Sequence, residues 1–333
     1  MEVQVRLLTQ LPSNGLYEGF VVLPNGTLLV ARADAAELYQ VDLNANGGDD
    51  ACRLLHRFQE APDISSIINI CDIPGVADEF IVLVGLFDLR AVRVSNYQIW
   101  RFSMSSSGSA TNWKRVTTLD HTGFFLSVVA ISDRVLLVTD SARHRVDSVD
   151  LVSGDTEVLA THESFRPATD ADFFGINRLC VDAKGTVWFT NSSRNLLGRF
   201  RVEPQGTDTT TGARLVGDVE IVAEGFPDSD GLAVVPDGSA AFLVTMDDGR
   251  LLRVDLTGGP GNPVTDVEVD LVNPTAVGLI SPWPKSKDGC VQVCVICNGQ
   301  FDVGWKNHDP SSGWRDVADI VNQVKVTVTV TEE

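Results

Sequence analysis

The chain has 333 residues, of which 44% are hydrophobic and 21% charged, a balance that supplies a globular core and excludes a disordered polymer. A formal charge of -19 and an isoelectric point near 4.5 repel phosphate backbones and anionic lipid, so nucleic acid and membrane surfaces are excluded as partners. The length permits two domains on average usage, but all-β rings often run longer as one unit, and residues 1–333 are read as a single domain.

In chain order, the opening MEVQVRLLTQLP alternates like a strand and lacks the basic-then-apolar layout of a secretory leader. With no apolar run of about 18 residues, the chain reads as cytoplasmic. A pattern then recurs: an inner apolar strand, a Gly or Asp turn, a second apolar strand, and a third ending in Val-Asp-Leu. The first copy runs from Glu18 to Leu43, and another runs from Leu126 to Leu151; each places its aspartate, Asp42 or Asp150, 24 residues after the opening position. Further copies open at Asn177 and Asp230. Two weaker ones surround SSIINICDIPGVADEFIVLVG, which continues after an insertion to QIWRFSM, and NPTAVGLISPW with CVQVCVICNG. Short strands rich in Val, Leu and Ile, punctuated by Asn-Gly, Asp-Gly and Lys-Gly, are antiparallel hairpin chemistry. The pattern predicts a six-bladed β-propeller of four-stranded antiparallel blades, with VQVRLL and the alternating tail from Val324 to Val330 pairing to close the ring. One helix is predicted, over 312–323.

The cysteines of CVQVCVIC are spaced four and three apart, and an extended strand sends Cys290 and Cys294 to one face and Cys297 to the other. Reduced core cysteines are the reading preferred to a metal site. None of the five histidines has metal spacing, although His121 precedes an inner strand. Trp305 and Trp314 flank KNHDPSSG, as a lid or as packing for a long loop.

Each opening residue starts an innermost strand, and the second strand returns to the same rim, so both positions are expected to face an axial pocket. The opening set is Glu18, Leu126, Asn177 and Asp230, with Thr275 in the last copy; the return set is Arg32, Asp140, Asn191, Asp247 and Asn298. So many polar groups on one axis imply a use for them. Phe20, Phe124, Phe125, Phe173, Phe174 and Phe226 lie within a few residues of the opening positions and are candidate apolar walls. The bland alternatives are inter-blade core for the phenylalanines, a structural Glu18–Arg32 ion pair, and a loop-tying role for Asn177.

Set in EGF, GIN and SDGL, Glu18, Asn177 and Asp230 resemble the divalent-metal triad of the senescence marker/gluconolactonase-like propellers. Within that superfamily the chain is most similar to a fungal branch, the hetero-Diels-Alderases of tropolone sesquiterpenoid biosynthesis. LVARADAAELYQVDL, VLVGLFDL before YQIWRFSM, FLSVVAISDRVLLVTDSA, GINRLCVDAKGTVWFTNSS, and NPTAV with CNG carry that likeness, over most of the chain. The chain departs from the pattern at Leu126, where relatives keep an Asn nearby, and at Arg178, where a Gly is usual. The resemblance implies a cofactor-independent pericyclase that dehydrates a hydroxymethyl tropolone to a quinone methide and holds it against a humulene-type alkene, so its partners are small polyketide and terpene substrates. Glu18 or Asp230 would be the proton donor, with Arg32 and Asn177 on the oxygenated ring, and the phenylalanines, Asn191 and Asn298 would contact substrate. The alternative it implies is a lactonase in which Glu18, Asn177 and Asp230 hold Ca²⁺ or a similar cation. A non-catalytic scaffold is the third reading.

Overall fold

A computed structural model describes residues 2–12, 15–44, 51–88, 93–120, 122–170, 172, 174–207, 210–258, 264–267, 271–280, 290–298 and 324–331. The predicted helix over 312–323, Phe173, His121, Trp305 and Trp314 lie outside the described residues. The regular elements described are antiparallel strands and a 3-10 turn at Glu163–Phe165. No helix among the described residues is long and apolar enough to cross a membrane.

Five sheets are runs of four consecutive strands. The first holds β2 (Tyr17–Leu23), β3 (Thr27–Arg32), β4 (Glu37–Asp42) and β5 (Cys52–Arg57). The second holds β6 (Ser66–Ile73), β7 (Val76–Asp88), β8 (Arg93–Met104) and β9 (Ala110–Thr118). The third holds β10 (Phe125–Ala130), β11 (Val135–Asp140), β12 (Arg145–Asp150) and β13 (Thr156–Thr161). The fourth holds β14 (Ile176–Val181), β15 (Thr186–Asn191), β16 (Leu196–Thr207) and β17 (Thr210–Glu224). The fifth holds β18 (Ser229–Val234), β19 (Ala240–Thr245), β20 (Arg250–Asp255) and β21 (Val264–Val267). A further four-stranded sheet is composite: β22 (Pro274–Leu279), β23 (Cys290–Cys297) and β24 (Val324–Thr331) are completed by β1 (Glu2–Thr9), in the order β22-β23-β24-β1. The first strands lie against one another in a closed circuit, β2 on β6, β6 on β10, β10 on β14, β14 on β18, β18 on β22 and β22 on β2. This is a β-propeller, in which each sheet covers its neighbour's apolar face and the circuit leaves no long open inner edge.

Middle strands such as β3, β11 and β19 are covered by sheets on both sides, which is why their sequences run apolar instead of alternating. Cys294 packs with the first sheet's Leu28 and Val30, whereas Cys297 packs with the fifth sheet's Phe242 and Val244. The two thiols therefore face opposite ways, both are buried, and burial pushes the Cys294 thiol up to about 12. The stretch that reads as an insertion in the second repeat is the far end of a long hairpin, with Leu86 opposite Ser95 and Asp88 opposite Arg93.

Candidate functional site at the ring axis

Every predicted opening residue is the second residue of its inner strand, and there the ladder slips. Register shifts fall between Tyr17 and Gly19, Phe125 and Val128, Ile176 and Leu179, Ser229 and Leu232, and Pro274 and Ala276, with a matching one between Ile67 and Asn69. Such bulges kink a strand and re-aim its side chains. They lift Glu18, Asn177 and Asp230 out of the ladder, and the last two meet: Asn177 Nδ2 donates to Asp230 Oδ1 at 3.1 Å and to Ser192 Oγ at 3.0 Å.

The group that joins Glu18 to them is Arg178, which the sequence reading noted only as a departure from the family pattern. Its guanidinium Nη2 stands 3.3 Å from Asp230 Oδ1 and 3.7 Å from Glu18 Oε2, and it donates to the Thr275 carbonyl at 3.4 Å. An arginine on the fourth sheet is thus held by the first, the fifth and the composite sheet. Arg178 is only 8% exposed, and its Nε is buried without a protein acceptor. Glu18 keeps 24% of its side-chain surface and Asp230 13%, so both remain reachable. Burial, reinforced by the Asp230 charge, holds the Glu18 carboxyl well above the ordinary carboxylate range against the pull of Arg178. Burial also raises Asp230, but hydrogen bonds from Arg178 and Asn177 favour its anion. The arrangement is two carboxyls, Glu18 and Asp230, both raised by burial, with the Arg178 guanidinium in reach of each.

Hydroxyl and amide staples fix the backbone beneath it. Thr190 Oγ1 accepts from Arg178 N at 3.2 Å and donates to the Asp230 carbonyl at 3.4 Å, and Thr139 Oγ1 donates to the Asn177 carbonyl at 3.1 Å. Thr275 is a staple too, its buried Oγ1 donating to the Tyr17 carbonyl at 2.7 Å. At the corresponding bulges the second sheet has Ile68 and the third Leu126, so four sheets contribute polar groups and two contribute apolar ones. Phe124 and Phe174, partly exposed with centroids 5.8 Å apart, precede the bulges of β10 and β14.

The return set is not part of this group. Arg32 lies over the Tyr17 ring and is engaged by Asp34 through two bonds of 2.9 Å and by Glu37 at 3.0 Å. Asn191, fully buried, donates to the Ser164 and Arg166 carbonyls and accepts from Arg194 N. Asn298 brackets the backbone of Tyr17 and donates to Thr275 Oγ1. Asp140 is buried against Arg143, and Asp247 is exposed. The error has a geometric cause. Arg32, Asp140 and Asn191 sit directly opposite Tyr17, Phe125 and Ile176, and cross-strand partners share a face. That face is the inter-sheet core, whereas the bulge turns only the next residue toward the axis. Phe125 and Phe226 are likewise core, and Phe20 packs over Gly278 of β22. Ile68 was missed, and Arg178 entered only as a departure from the pattern, because a bulge has no signature in periodicity.

No protein-family model and no curated protein sequence matches the chain. Solved structures do. A luciferin-regenerating enzyme superposes with TM-score 0.62 at 11% identity, covering 99% of this chain and 96% of that one. A calcium-binding regucalcin from Agrobacterium tumefaciens superposes with TM-score 0.61 at 16% identity, over 99% and 95%. Virginiamycin B lyase from Staphylococcus aureus gives 0.53 at 12% identity, over 89% and 85%. At these identities the likeness is one of fold.

Proposed function

We propose that the chain is a metal-independent propeller enzyme in which Glu18 is the acid of a dehydration that opens the way to a hetero-Diels–Alder cyclisation of small polyketide and terpene substrates. The observation that carries the reading is the Glu18–Arg178–Asp230 group: a carboxyl whose protonated form is favoured by burial, with a guanidinium shared between it and a second carboxyl. Metal-dependent lactone hydrolysis, the other activity that the resemblance implies, does not fit these residues, because a guanidinium lies between the two carboxyls that would ligate the cation.

In this scheme Glu18 protonates the leaving hydroxyl, the C–O bond breaks with loss of water, and the ring hydroxyl returns a proton to the Glu18 carboxylate. The following [4+2] step needs no proton transfer. What it asks of Leu126, Phe124 and Phe174 is a near-attack pose, a contribution of roughly 7–11 kcal/mol when geometry is ideal.

Positioned acids contribute about 10²–10⁴-fold. Glu18→Gln is therefore expected to keep the parent circular dichroism and melting temperature while turnover of a hydroxymethyl tropolone with humulene falls at least about 100-fold. Parent-rate turnover by Glu18→Gln and Asp230→Asn alike would remove both residues from the mechanism.

A further inference from the structure

We infer that Arg178 is a tethered cation seated where a hard divalent ion would otherwise bind, and that this one side chain keeps the Glu18–Asn177–Asp230 cradle closed to metal. The inference rests on the metal-independent reading above but is tested without any substrate.

Carboxyls from the first and fifth sheets and a carboxamide from the fourth converge, and hard cations bind through such oxygens, with water completing the shell. Here the positive charge is supplied from within the chain. Arg178 Nη2 lies 3.3 Å from one carboxyl and 3.7 Å from the other, so a divalent ion would face a guanidinium at contact range. The side chain is nine-tenths buried, and swinging it into solvent would leave Glu18 and Asp230 without a counter-charge. Its Nε has no protein acceptor, so the arginine is not held by a complete set of hydrogen bonds. Electrostatic neutralisation of the cradle is the part of its role that the geometry explains. Removing the side chain leaves two carboxyls, an amide oxygen free to turn inward, and space.

Calcium titration by calorimetry, with melting temperature followed in parallel, tests this on the full chain. The parent and Arg178→Lys, which retains a cation, should bind no calcium in a Glu18-dependent manner. Arg178→Ala should bind one Ca²⁺ per chain at least ten-fold more tightly than the parent, in the range of about 0.1–1 mM typical of sparsely liganded sites, and lose it again in Arg178→Ala/Glu18→Gln. The inference is overturned if the parent binds one Ca²⁺ that Glu18→Gln abolishes, or if folded Arg178→Ala binds no better than the parent. Should Arg178→Ala fail to fold in calcium-free buffer, recovery with CaCl₂ but not with NaCl of equal ionic strength supports the inference, and no recovery refutes it. A failure here leaves the acid role of Glu18 to its own turnover assay.

Discussion

Asp147 shows what an interior carboxyl costs this chain. It is 1% exposed on β12, with Arg145 Nε 2.9 Å from its Oδ1. Burial dominates over Arg145 and pushes its carboxyl up to about 6, with the Asp140 charge adding to the rise. A carboxyl whose folded value lies above its unfolded one binds protons more tightly when folded, so it favours the native state at low pH and loses that contribution as pH rises from about 4 through 6. The loss is on the order of 3 kcal/mol. Urea denaturation at pH 4.5 and pH 7 should show a fall in the parent that is smaller by about 2 kcal/mol in Asp147→Asn, since at pH 4.5 the unfolded carboxyl is already largely ionised. The same sign governs catalysis at Glu18, whose raised value requires kcat to decline on the alkaline side as the acid ionises. A rate that rises through that limb would assign it the role of base.

At the scale of the element, the bulge opening each inner strand is the device that makes a site from a repeat. It works only if neighbouring sheets approach closely, and Gly231, next to Asp230, lies at one such approach. A Cβ there would stand 2.8 Å from the Cα of Ala276 and 2.8 Å from the backbone nitrogen of Val277 on β22. These are backbone atoms of an adjacent sheet and cannot give way as a side chain would. Gly231→Ala is therefore expected to cost roughly 1–3 kcal/mol, read as a lowered melting temperature, and to reduce turnover by displacing Asp230. Unchanged melting would mean that the sheets have slack. The strands themselves were legible: the positions of Glu18, Leu126, Asn177, Asp230 and Thr275 follow from apolar runs and turn residues. The direction each return residue faces was not, because pairing alternates side chains strictly and one extra residue inverts the assignment.

Over the whole molecule, both ends of the chain share one sheet, with β1 pairing β24 from Glu2 opposite Thr331 to Thr9 opposite Val324. Removing residues 2–9 would bare the β24 edge and uncover the pocket that buries Leu8. The truncated protein should melt at lower temperature and self-associate in sedimentation, and a monomer of parent stability would contradict a closing role for β1. The sequence alone determined the repeat, the all-β class, the paired termini and the opening positions, since these depend on local turn chemistry and apolar periodicity. Only the tertiary structure decided the site. Asn191 and Asn298, as return residues, were expected at the same rim as Asn177, yet they tie backbone while Asn177 reaches Asp230. Arg178, an irregularity in sequence, became the centre of the cluster because three sheets distant along the chain bring their carboxyls and a carbonyl to it. Burial and charge at a point where four sheets meet are properties of the closed ring, and no single strand carries them.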